Sequence, residues 1–301
     1  MKLDIEKLLM EVPITRINHI ENNEVYALLE KFNMCGSIKV KTVYWILKRA
    51  IEKGELDKSK IVLEASSGNT AISLAYLSNL FDLKVQLVIP ENTASCKKKL
   101  IRSYGAELIE VPGATDDAID HRNKLYKENP NKYYLPDQFG NIDNMEAHYH
   151  LTGPHIEKKL GKLDFFVAGL GTTGTLLGTA KYLKERYPDI KIIAINALDK
   201  VEGIKNYNII RNIGQFYKDY KYLIDEVIDV TFLEDAIPGV NDFIGEGYFN
   251  GISSGAFLSG TKRYLEGKQG LKGAIIAPDG GDYYFSELMK QIDKDKIKGC
   301  K

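Results

Sequence analysis

The chain has 301 residues, of which 44% are hydrophobic and 27% are charged, and its formal net charge is +0. This length is ample for a large core and predicts more than one domain, while the balanced charge excludes a general field that would attract nucleic acid or an anionic membrane. No apolar run approaches the roughly 18 residues that a membrane-spanning helix needs, and the odd number and wide spacing of Cys35, Cys96 and Cys300 predict a reducing, cytoplasmic setting without a disulfide framework.

Short apolar runs alternate with amphipathic segments along most of the chain. In chain order, the predicted strands are residues 61–65, 84–90, 106–113, 165–171, 191–197 and 274–279. An amphipathic segment, predicted to be a helix, follows each of the first four runs. This order predicts an α/β fold in which helices cover parallel sheets. Because ligands in such folds bind at the carboxyl ends of strands, we expect functional residues just after these strands.

The stretch "NMCGSIKVKT" at 33–42 brings two lysines to the start of a predicted helix, directly after a turn-like Cys35-Gly36-Ser37. A lysine at this position is either a solvated surface charge or a reactive amine, and spacing alone leaves the choice open for Lys39. Lys41 is interpreted as a solvated charge. Cys35 is expected to be a small buried side chain.

The first strand ends in "EASSGNTAIS" at 64–73. The hydroxyl groups of Ser66, Ser67 and Thr70 can donate hydrogen bonds to an anion, and the backbone N–H groups of the following helix would reinforce them. An ordinary helix cap is the alternative, since Ser, Thr and Asn favour that position. One cap needs only one such residue, so the run favours a binding loop.

A later strand ends in "AGLGTTGTLLG" at 168–178, where glycines would let the backbone approach a ligand and threonines add hydroxyl groups. Composition and position predict a phosphate cup. The run also fits the dinucleotide pattern G-x-G-x-x-G through Gly169, Gly171 and Gly174. That alternative requires an acidic residue at the end of the next strand, where the sequence has Asn196. The hydroxyl density better suits a terminal phosphate monoester.

Two further stretches, "NGISSGAF" at 250–257 and "APDGGDYY" at 277–284, lie at a predicted helix start and a predicted strand end. By themselves, both are explained by caps and turns. The histidines of "HYH" at 148–150 are explained better as ordinary surface or buried residues than as metal ligands, and no metal site is predicted.

In this order, "GSIK", "SSGNT", "GLGTTGT", "GISSG" and "PDGGDYY" resemble the cysteine synthase (O-acetylserine sulfhydrylase) and cystathionine β-synthase group of fold-type-II enzymes, which use pyridoxal 5′-phosphate (PLP). The resemblance implies a tryptophan synthase β-like fold of two three-layer α/β/α domains with largely parallel sheets. We expect a smaller domain at 37–142, a larger PLP-binding domain formed by 1–36 plus 143–301, and PLP in the cleft between them. Relatives are usually homodimers, so we expect a homodimer with a small amino-acid substrate.

The resemblance implies a role for each motif residue. Lys39 matches the lysine that binds PLP through a Schiff base, which agrees with the need for a fixed and partly desolvated amine. Asn69 would hydrogen-bond the 3-oxygen of the cofactor, Ser253 would face its pyridine nitrogen, and Gly203 would lie near its ring. The residues that would cup the phosphate are Gly171, Thr172, Thr173, Gly174 and Thr175. Those that would hold the substrate α-carboxylate are Ser66, Ser67 and Thr70, with Gln138 closing over it.

Ser253 favours one reaction type, because a hydroxyl cannot stabilise a protonated pyridinium as a carboxylate would. The ring is then a weaker electron sink, which disfavours transamination and suits α,β-elimination. We expect a β-substituted alanine, of the O-acetylserine or cysteine type, to lose its Cα proton to Lys39 and then its Cβ substituent. A nucleophile would then add at Cβ.

Four stretches depart from the family pattern without touching the expected PLP contacts: Asn33-Met34-Cys35, "SSGNTA", "GIKNYN" from Gly203, and Asp282-Tyr283-Tyr284. They leave the second step open. In the first alternative, sulfide adds to the product of elimination from O-acetylserine and gives cysteine. In the second, the cycle starts from cysteine and releases sulfide, and water or a thiol then adds to give serine or lanthionine. In the third, an amine adds after elimination from O-phosphoserine, as in diaminopropionate-forming relatives. Water addition would need a carboxylate, for which Asp229 is a candidate, although an exposed surface carboxylate explains it better.

Two other classes of protein explain fewer motifs. A nicotinamide-dependent oxidoreductase would use G-x-G-x-x-G but leaves Lys39 and "SSGNT" unexplained. A catalytically inactive, partner-binding relative would have no need to retain Lys39, Asn69 and the phosphate cup together. A visible absorbance band that is lost in Lys39→Ala would separate PLP binding from both alternatives.

Overall fold

The computed structural model of the chain describes residues 4–209 and 215–292. Cys300 lies outside the described residues. The described chain divides into two compact units. The first unit runs to Ile38 and resumes at Met145, and the second unit is Lys39–Asn144. Each unit has a sheet of its own.

Helices and strands alternate through most of the described chain. The strands are β1 Ile14–Arg16, β2 Glu24–Leu29, β3 Ile61–Ala65, β4 Lys84–Pro90, β5 Glu107–Val111, β6 Tyr133–Tyr134, β7 Phe165–Gly169, β8 Lys191–Ala197, β9 Glu226–Val230 and β10 Lys272–Ala277. The α-helices are α1 Ile5–Leu9, α2 Lys39–Glu52, α3 Asn69–Leu80, α4 Ser95–Ser103, α5 Thr115–Glu128, α6 Asp143–Ala147, α7 Gly153–Leu160, α8 Gly174–Arg186, α9 Gln215–Tyr220, α10 Ile237–Gly245, α11 Ile252–Tyr264 and α12 Phe285–Gln291. π-helical turns at His148–Thr152 and Phe232–Ala236 directly precede α7 and α10.

The first unit contains a six-stranded sheet with the strand order β1-β2-β10-β7-β8-β9. All neighbouring strands are parallel except β1 and β2, which are antiparallel. The central strands are apolar along their length, as in Phe165–Gly169, because both faces of a parallel sheet are covered by other elements. The register sets Gly169 opposite Ile195, so the carboxyl ends of β7 and β8 lie side by side.

The second unit contains a four-stranded parallel sheet with the order β5-β4-β3-β6. Leu63, Val88 and Tyr133 belong to a buried apolar cluster on this sheet. The helices α2 and α3 pack against each other. Only residues 66–68 separate the end of β3 from the start of α3, so this short loop is held between two well-packed elements.

The predicted α/β fold with largely parallel sheets is confirmed. Strands β1, β2, β6 and β9 have no counterpart among the predicted apolar runs. β1 has three residues and β6 has two, and strands this short show no periodic pattern. In β9, the acidic residues Glu226 and Asp229 interrupt the apolar run. Within the described ranges, no helix is long and apolar enough to cross a membrane.

Candidate functional site

Loops at the carboxyl ends of strands carry many of the predicted site residues, as expected for parallel α/β units. In the second unit, residues 66–68 join β3 to α3, and in the first unit residues 170–173 join β7 to α8. Gly203 follows β8, and Ser253 lies in the first turn of α11. Each unit therefore has its own group of predicted site residues.

In the second unit, the loop after β3 presents hydroxyl groups at the start of α3. Ser66 and Ser67 are half-buried, and the N-cap residue of this helix is Gly68, which has no side chain to cap it. The hydroxyl of Thr70 donates to Oε1 of Gln138 at 2.8 Å, and Nδ2 of Asn144 donates to the Gln138 carbonyl oxygen at 2.7 Å. The structure thus brings together Thr70 and Gln138, which the sequence predicts to serve the same substrate group.

A buried ion pair supports the start of this loop. Glu64, in β3, has 3% of its side chain exposed, and its Oε1 accepts a hydrogen bond from Nη1 of Arg122 at 2.7 Å. The same oxygen accepts the N–H of Ala65 at 2.8 Å. Burial raises the pKa of Glu64, although the neighbouring guanidinium acts in the opposite direction. The pair fixes the end of the strand from which the loop departs.

Lys39 is the first residue of α2 and is half-buried. Backbone pairing within the first unit holds the segment that precedes it. The N–H of Ile38 donates to the carbonyl oxygen of Pro278 at 2.8 Å, and Ser37 forms an antiparallel bridge with Asp279. Because the residues before Lys39 have little conformational freedom, the base of its side chain has a fixed position.

The turn before this segment has a left-handed backbone. Cys35 has a φ of +54° and Gly36 a φ of +73°. The hydroxyl of Tyr283 donates to the carbonyl oxygen of Cys35 at 3.1 Å, and a Cβ at Gly36 would lie 2.9 Å from that hydroxyl oxygen. The prediction that Cys35 is a buried side chain is wrong, since the residue is half-buried. Turns of this kind form at the surface, where they connect packed elements.

Lys41 is fully buried, so its interpretation as a solvated charge is wrong. The first turns of α2 are enclosed on most sides, and Val40, Thr42 and Val43 are buried as well. A charged residue between apolar residues of a helix normally lies on the face that is exposed to solvent. Nothing in the local sequence indicates that the first turns of α2 lack an exposed face.

In the first unit, the loop between β7 and α8 has the geometry of an anion cup. Thr173 has a left-handed backbone with a φ of +67°. α8 begins at the next residue, Gly174, and the side chain of its N-cap residue, Thr173, makes no capping hydrogen bond. Such a turn directs successive N–H groups to one point, and the helix start adds a favourable dipole. Thr172 is buried and Thr175 is half-buried. We call residues 171–175 the phosphate loop.

Gly203 and Ser253 adjoin the phosphate loop. A Cβ at Gly171 would lie 2.6 Å from the carbonyl oxygen of Gly203, and a Cβ at Gly203 would lie 3.5 Å from both Cβ and Oγ of Ser253. Gly171 therefore has no room for a side chain, and Gly203, with a φ of +87°, uses the left-handed freedom of glycine. Segments that are far apart in the sequence thus converge on one place.

Tyr207 supports the phosphate loop and is not among the predicted residues. Its hydroxyl donates to the carbonyl oxygen of Gly171 at 3.0 Å, and its N–H donates to Oδ1 of Asn196 at 2.8 Å. Burial raises the pKa of Tyr207, which keeps the hydroxyl a neutral donor. Nδ2 of Asn196 donates to Oδ1 of Asp229 at 2.7 Å, and Asp229 is exposed near the end of β9. Its carboxylate therefore belongs to a chain of hydrogen bonds that ends at the phosphate loop.

His148 is a second unpredicted neighbour of the phosphate loop. The side chain is fully buried. Its Nε2 lies 3.1 Å from Oγ1 of Thr175, and its Nδ1 lies 2.9 Å from Oγ1 of Thr152. The sequence predicts an ordinary histidine here, and neither "HYH" nor "GIKNYN" carries a local signal for the contacts of His148 and Tyr207.

The residues present fit the PLP cofactor that the sequence predicts. A phosphate monoester needs several convergent donors, which the left-handed turn at Thr173 and the uncapped start of α8 provide. The missing side chain at Gly171 keeps the backbone open to a close ligand. Lys39 supplies an amine, and Ser253 supplies a neutral hydroxyl beside Gly203.

The chain is similar to known proteins over nearly its whole length. The family model described as "Pyridoxal-phosphate dependent enzyme" matches residues 8–277. The cysteine synthase of Aquifex aeolicus is 33% identical over 97% of this chain and 93% of that protein. The structure of O-acetyl serine sulfhydrylase isoform 3 from Entamoeba histolytica has a TM-score of 0.87 at 28% identity and covers 99% of this chain and 95% of that chain. The structure of a hydrogen sulfide-producing enzyme from Fusobacterium nucleatum has a TM-score of 0.85 at 30% identity, and the match covers 94% of this chain and 98% of that chain.

Proposed function

This chain belongs to the family of pyridoxal-phosphate-dependent enzymes, in its cysteine synthase group, and on that premise we propose that it catalyses β-elimination or β-replacement on a β-substituted L-alanine. The substrate is of the O-acetylserine or cysteine type. The observation that carries the proposal is the convergence of Gly171, Gly203 and Ser253 at the phosphate loop, because it sets a neutral hydroxyl beside the proposed cofactor site. The family and the use of PLP, both predicted from the sequence, are confirmed.

Residues of the phosphate loop and three side chains would hold the cofactor. The N–H and hydroxyl groups of residues 171–175 would bind its phosphate. Lys39 would bind its aldehyde carbon covalently through Nζ, Asn69 would donate to its 3-oxygen, and Ser253 would face its pyridine nitrogen. Gly203, beside Ser253, would leave room for the ring.

When bound, PLP supplies an electron-accepting ring that stabilises negative charge at the substrate Cα. Lys39 supplies the base, since its free amine takes the Cα proton when it is neutral and close. The hydrogen bond between Ile38 and Pro278 fixes the segment from which this amine extends. The neutral hydroxyl of Ser253 does not favour protonation of the pyridine nitrogen, so charge at Cα is best relieved by departure of the Cβ substituent.

The loop after β3 would bind the other end of the substrate. Ser66, Ser67 and Thr70 would donate to the α-carboxylate, together with the first N–H groups of α3. In the structure the single hydroxyl hydrogen of Thr70 goes to Oε1 of Gln138 at 2.8 Å, so Thr70 would donate to the substrate carboxylate once that carboxylate replaces Gln138 as its acceptor. The buried pair of Glu64 and Arg122 keeps the strand end in place while the loop binds and releases substrate.

A second candidate activity is the release of sulfide from cysteine. The segment after Gly203 leaves room for it, because this stretch departs from the family pattern, and in it Tyr207 is bonded to Gly171 of the phosphate loop. That stretch is predicted to shape the side where the second substrate enters. The structural similarity to an enzyme that produces hydrogen sulfide supports the same candidate.

Absorbance and product analysis test both candidates. Purified protein should show a visible band that Lys39→Ala lacks and Lys48→Ala retains, since Lys48 lies on the same helix with 30% of its side chain exposed. O-acetylserine, O-phosphoserine and cysteine are then each supplied with and without sulfide. Cysteine formed from O-acetylserine and sulfide supports replacement, and sulfide released from cysteine alone supports the second candidate.

Protein that shows no band, or that has the band and converts none of these substrates, contradicts the proposal. An amine-dependent product from O-phosphoserine would instead identify the diaminopropionate type of reaction. The homodimer and the cytoplasmic location stay predictions, and light scattering of the purified protein would test the first of them.

A further inference from the structure

The buried histidine of the π-helical turn contacts a residue of the phosphate loop. Nε2 of His148 lies 3.1 Å from Oγ1 of Thr175, and Nδ1 lies 2.9 Å from Oγ1 of Thr152. We propose that His148 is a positioning residue, which acts through the hydroxyl of Thr175 to aim that hydroxyl at the cofactor phosphate. The inference rests on the proposed function, since it takes residues 171–175 as the phosphate-binding loop.

Hydroxyl chemistry determines how such an arrangement would work. A threonine hydroxyl has one hydrogen and two lone pairs. If Thr175 donates its hydrogen to a phosphate oxygen, its lone pairs face Nε2 of His148, which must then carry a hydrogen of its own. A neutral imidazole with a hydrogen on Nε2 has an acceptor at Nδ1, and the hydroxyl of Thr152 can donate to it. Thr152, His148 and Thr175 then form a relay in which every hydrogen bond has one donor and one acceptor.

Close packing of the surrounding helices holds the relay together. A side chain at Gly178 in α8 would overlap the carbonyl oxygen of Met145 and would lie 3.0 Å from Cβ of His148. Glycine at this position therefore lets α8 approach the turn that carries the histidine. Because interiors of this density do not deform easily, the separation of His148 and Thr175 is fixed by the backbone.

Buried hydrogen bonds of this kind affect the affinity for a ligand when they orient a donor before binding. A histidine that only fills space would be replaced by any side chain of similar size without effect on the phosphate. His148→Phe keeps a ring and removes both nitrogens, whereas His148→Gln keeps an amide N–H that can face Thr175. Thr152→Val removes the distant hydroxyl at nearly constant volume and touches no proposed ligand.

Thr179 provides the matched control for Thr152→Val. It lies one turn beyond Thr175 in α8, it is fully buried, and its hydroxyl has no hydrogen-bond partner among the described residues. Thr179→Val therefore makes the same change of side chain in an equally buried place outside the relay.

The test measures the dissociation constant for PLP and the ³¹P chemical shift of the bound phosphate. His148→Phe is expected to weaken PLP binding by about 5- to 30-fold and to move the ³¹P signal. Thr152→Val should weaken binding less, and His148→Gln and Thr179→Val should stay close to wild type. In the double variant of His148→Phe with Thr175→Val, the losses should not add, because both remove the same donor.

Wild-type affinity and an unmoved ³¹P signal in His148→Phe, or full additivity in the double variant, would overturn the inference. If His148→Phe does not fold, Thr152→Val becomes the deciding variant. A PLP affinity of Thr152→Val equal to that of Thr179→Val would then count against the relay. A wild-type chain that binds no PLP contradicts the proposed function itself, which separates that failure from a failure of the relay alone.

Discussion

The hydroxyl of Tyr207 donates a 3.0 Å hydrogen bond to the carbonyl oxygen of Gly171, the first residue of the phosphate loop. The carbonyl of Gly171 and the N–H of Thr172 belong to one planar, trans peptide, so they point in opposite directions. A bond that holds the carbonyl toward Tyr207 therefore holds the Thr172 N–H on the other side. We infer that Tyr207 fixes the orientation of one phosphate donor without contacting the phosphate.

Replacement of Tyr207 by phenylalanine tests this relationship. Tyr207→Phe keeps the ring and removes one hydrogen bond to a neutral carbonyl, which is worth about 0.5–1.5 kcal/mol. PLP binding should weaken by roughly 2- to 12-fold, measured by titration of the cofactor-free protein. Tyr217→Phe is the control, because its ring packs on that of Tyr207 at 4.6 Å and the same change is made at a neighbouring tyrosine. An equal effect of both variants would show that the loss of a tyrosine hydroxyl in this stretch, and not of the bond to Gly171 in particular, weakens binding.

Gly171 should tolerate no side chain. A Cβ there would lie 2.6 Å from the carbonyl oxygen of Gly203, and backbone on both sides prevents an easy shift. Gly171→Ala should weaken PLP binding at least tenfold, a change in the dissociation constant that corresponds to about 1.4 kcal/mol. Gly245→Ala is a suitable control, because nothing lies within 4 Å of the added Cβ. Near-complete PLP occupancy in Gly171→Ala, measured by absorbance, would mean that Gly203 can move away.

Arg122 should matter more for stability than an exposed arginine does. Arg122→Met leaves the carboxylate of Glu64, which is 3% exposed, without its cation, and breaking a buried pair typically costs about 3–5 kcal/mol. The double variant with Glu64→Gln should recover part of the loss. Urea unfolding measures both, and a loss no larger than that of a surface ion pair, below about 1 kcal/mol, would contradict the prediction.

The stability loss in Arg122→Met should also depend on pH. The pKa of Glu64 is raised by burial above its ordinary value of 4.5, and removal of the guanidinium raises it further. The folded variant then binds a proton more tightly than the unfolded chain, so its unfolding free energy rises as the pH falls through the raised pKa. The deficit relative to wild type should shrink as the pH is lowered from neutral toward 4.5, the ordinary pKa of the carboxyl. A deficit that is constant over this range would mean that Glu64 stays charged.

Glu246 should stabilise the fold at neutral pH and lose this effect in acid. Its carboxylate accepts bonds from the N–H and Nδ2 of Asn18, both at 2.8 Å, and from the N–H and Nδ1 of His19 at 3.0 and 2.8 Å. Burial alone would raise the pKa of Glu246, but these hydrogen bonds outweigh it and hold the pKa below its ordinary value of 4.5. The stabilisation is therefore present above that value and is lost as the pH falls through the lower folded pKa.

Glu246→Gln should cost about 1.5–3 kcal/mol of unfolding free energy near neutral pH, and the difference from wild type should vanish in acid. Chemical unfolding at a series of pH values measures this. Glu21→Gln changes an exposed carboxylate in the same part of the first unit and should have no such pH-dependent effect. If the cost of Glu246→Gln persists after the carboxyl is protonated, the loss of a hydrogen-bond acceptor, and not of the charge, is responsible.

The parts of the site that follow strands could be predicted from the sequence, and the parts that support them could not. Hydroxyl- and glycine-rich runs after β3 and β7 are local patterns with a physical cause, so Ser66 and Thr173 were predicted from chemistry and position, and the structure has both residues in the loops directly after these strands. Tyr207 and His148 contact the phosphate loop through pairings of distant segments, which no local pattern encodes.

Lys41 shows a different limit of sequence reasoning. The alternation of lysine and apolar residues at the start of α2 resembles an ordinary amphipathic helix. The residue is nevertheless buried, and a single sequence does not reveal how many faces of a helix will be covered.

The π-helical turn His148–Thr152 also sets the rotational phase of the helix that follows it. Such a turn is an α-helix with one residue too many, and one residue corresponds to a rotation of about 100°. The ring of Tyr182 lies so close to Gly153 that it leaves no space for a side chain at this position. Deletion of a single residue from the turn would rotate α7, so the backbone of Gly153 would no longer face that ring. The number of residues in this stretch is therefore constrained as strictly as their identity, and homologous chains should vary here by substitution and not by length.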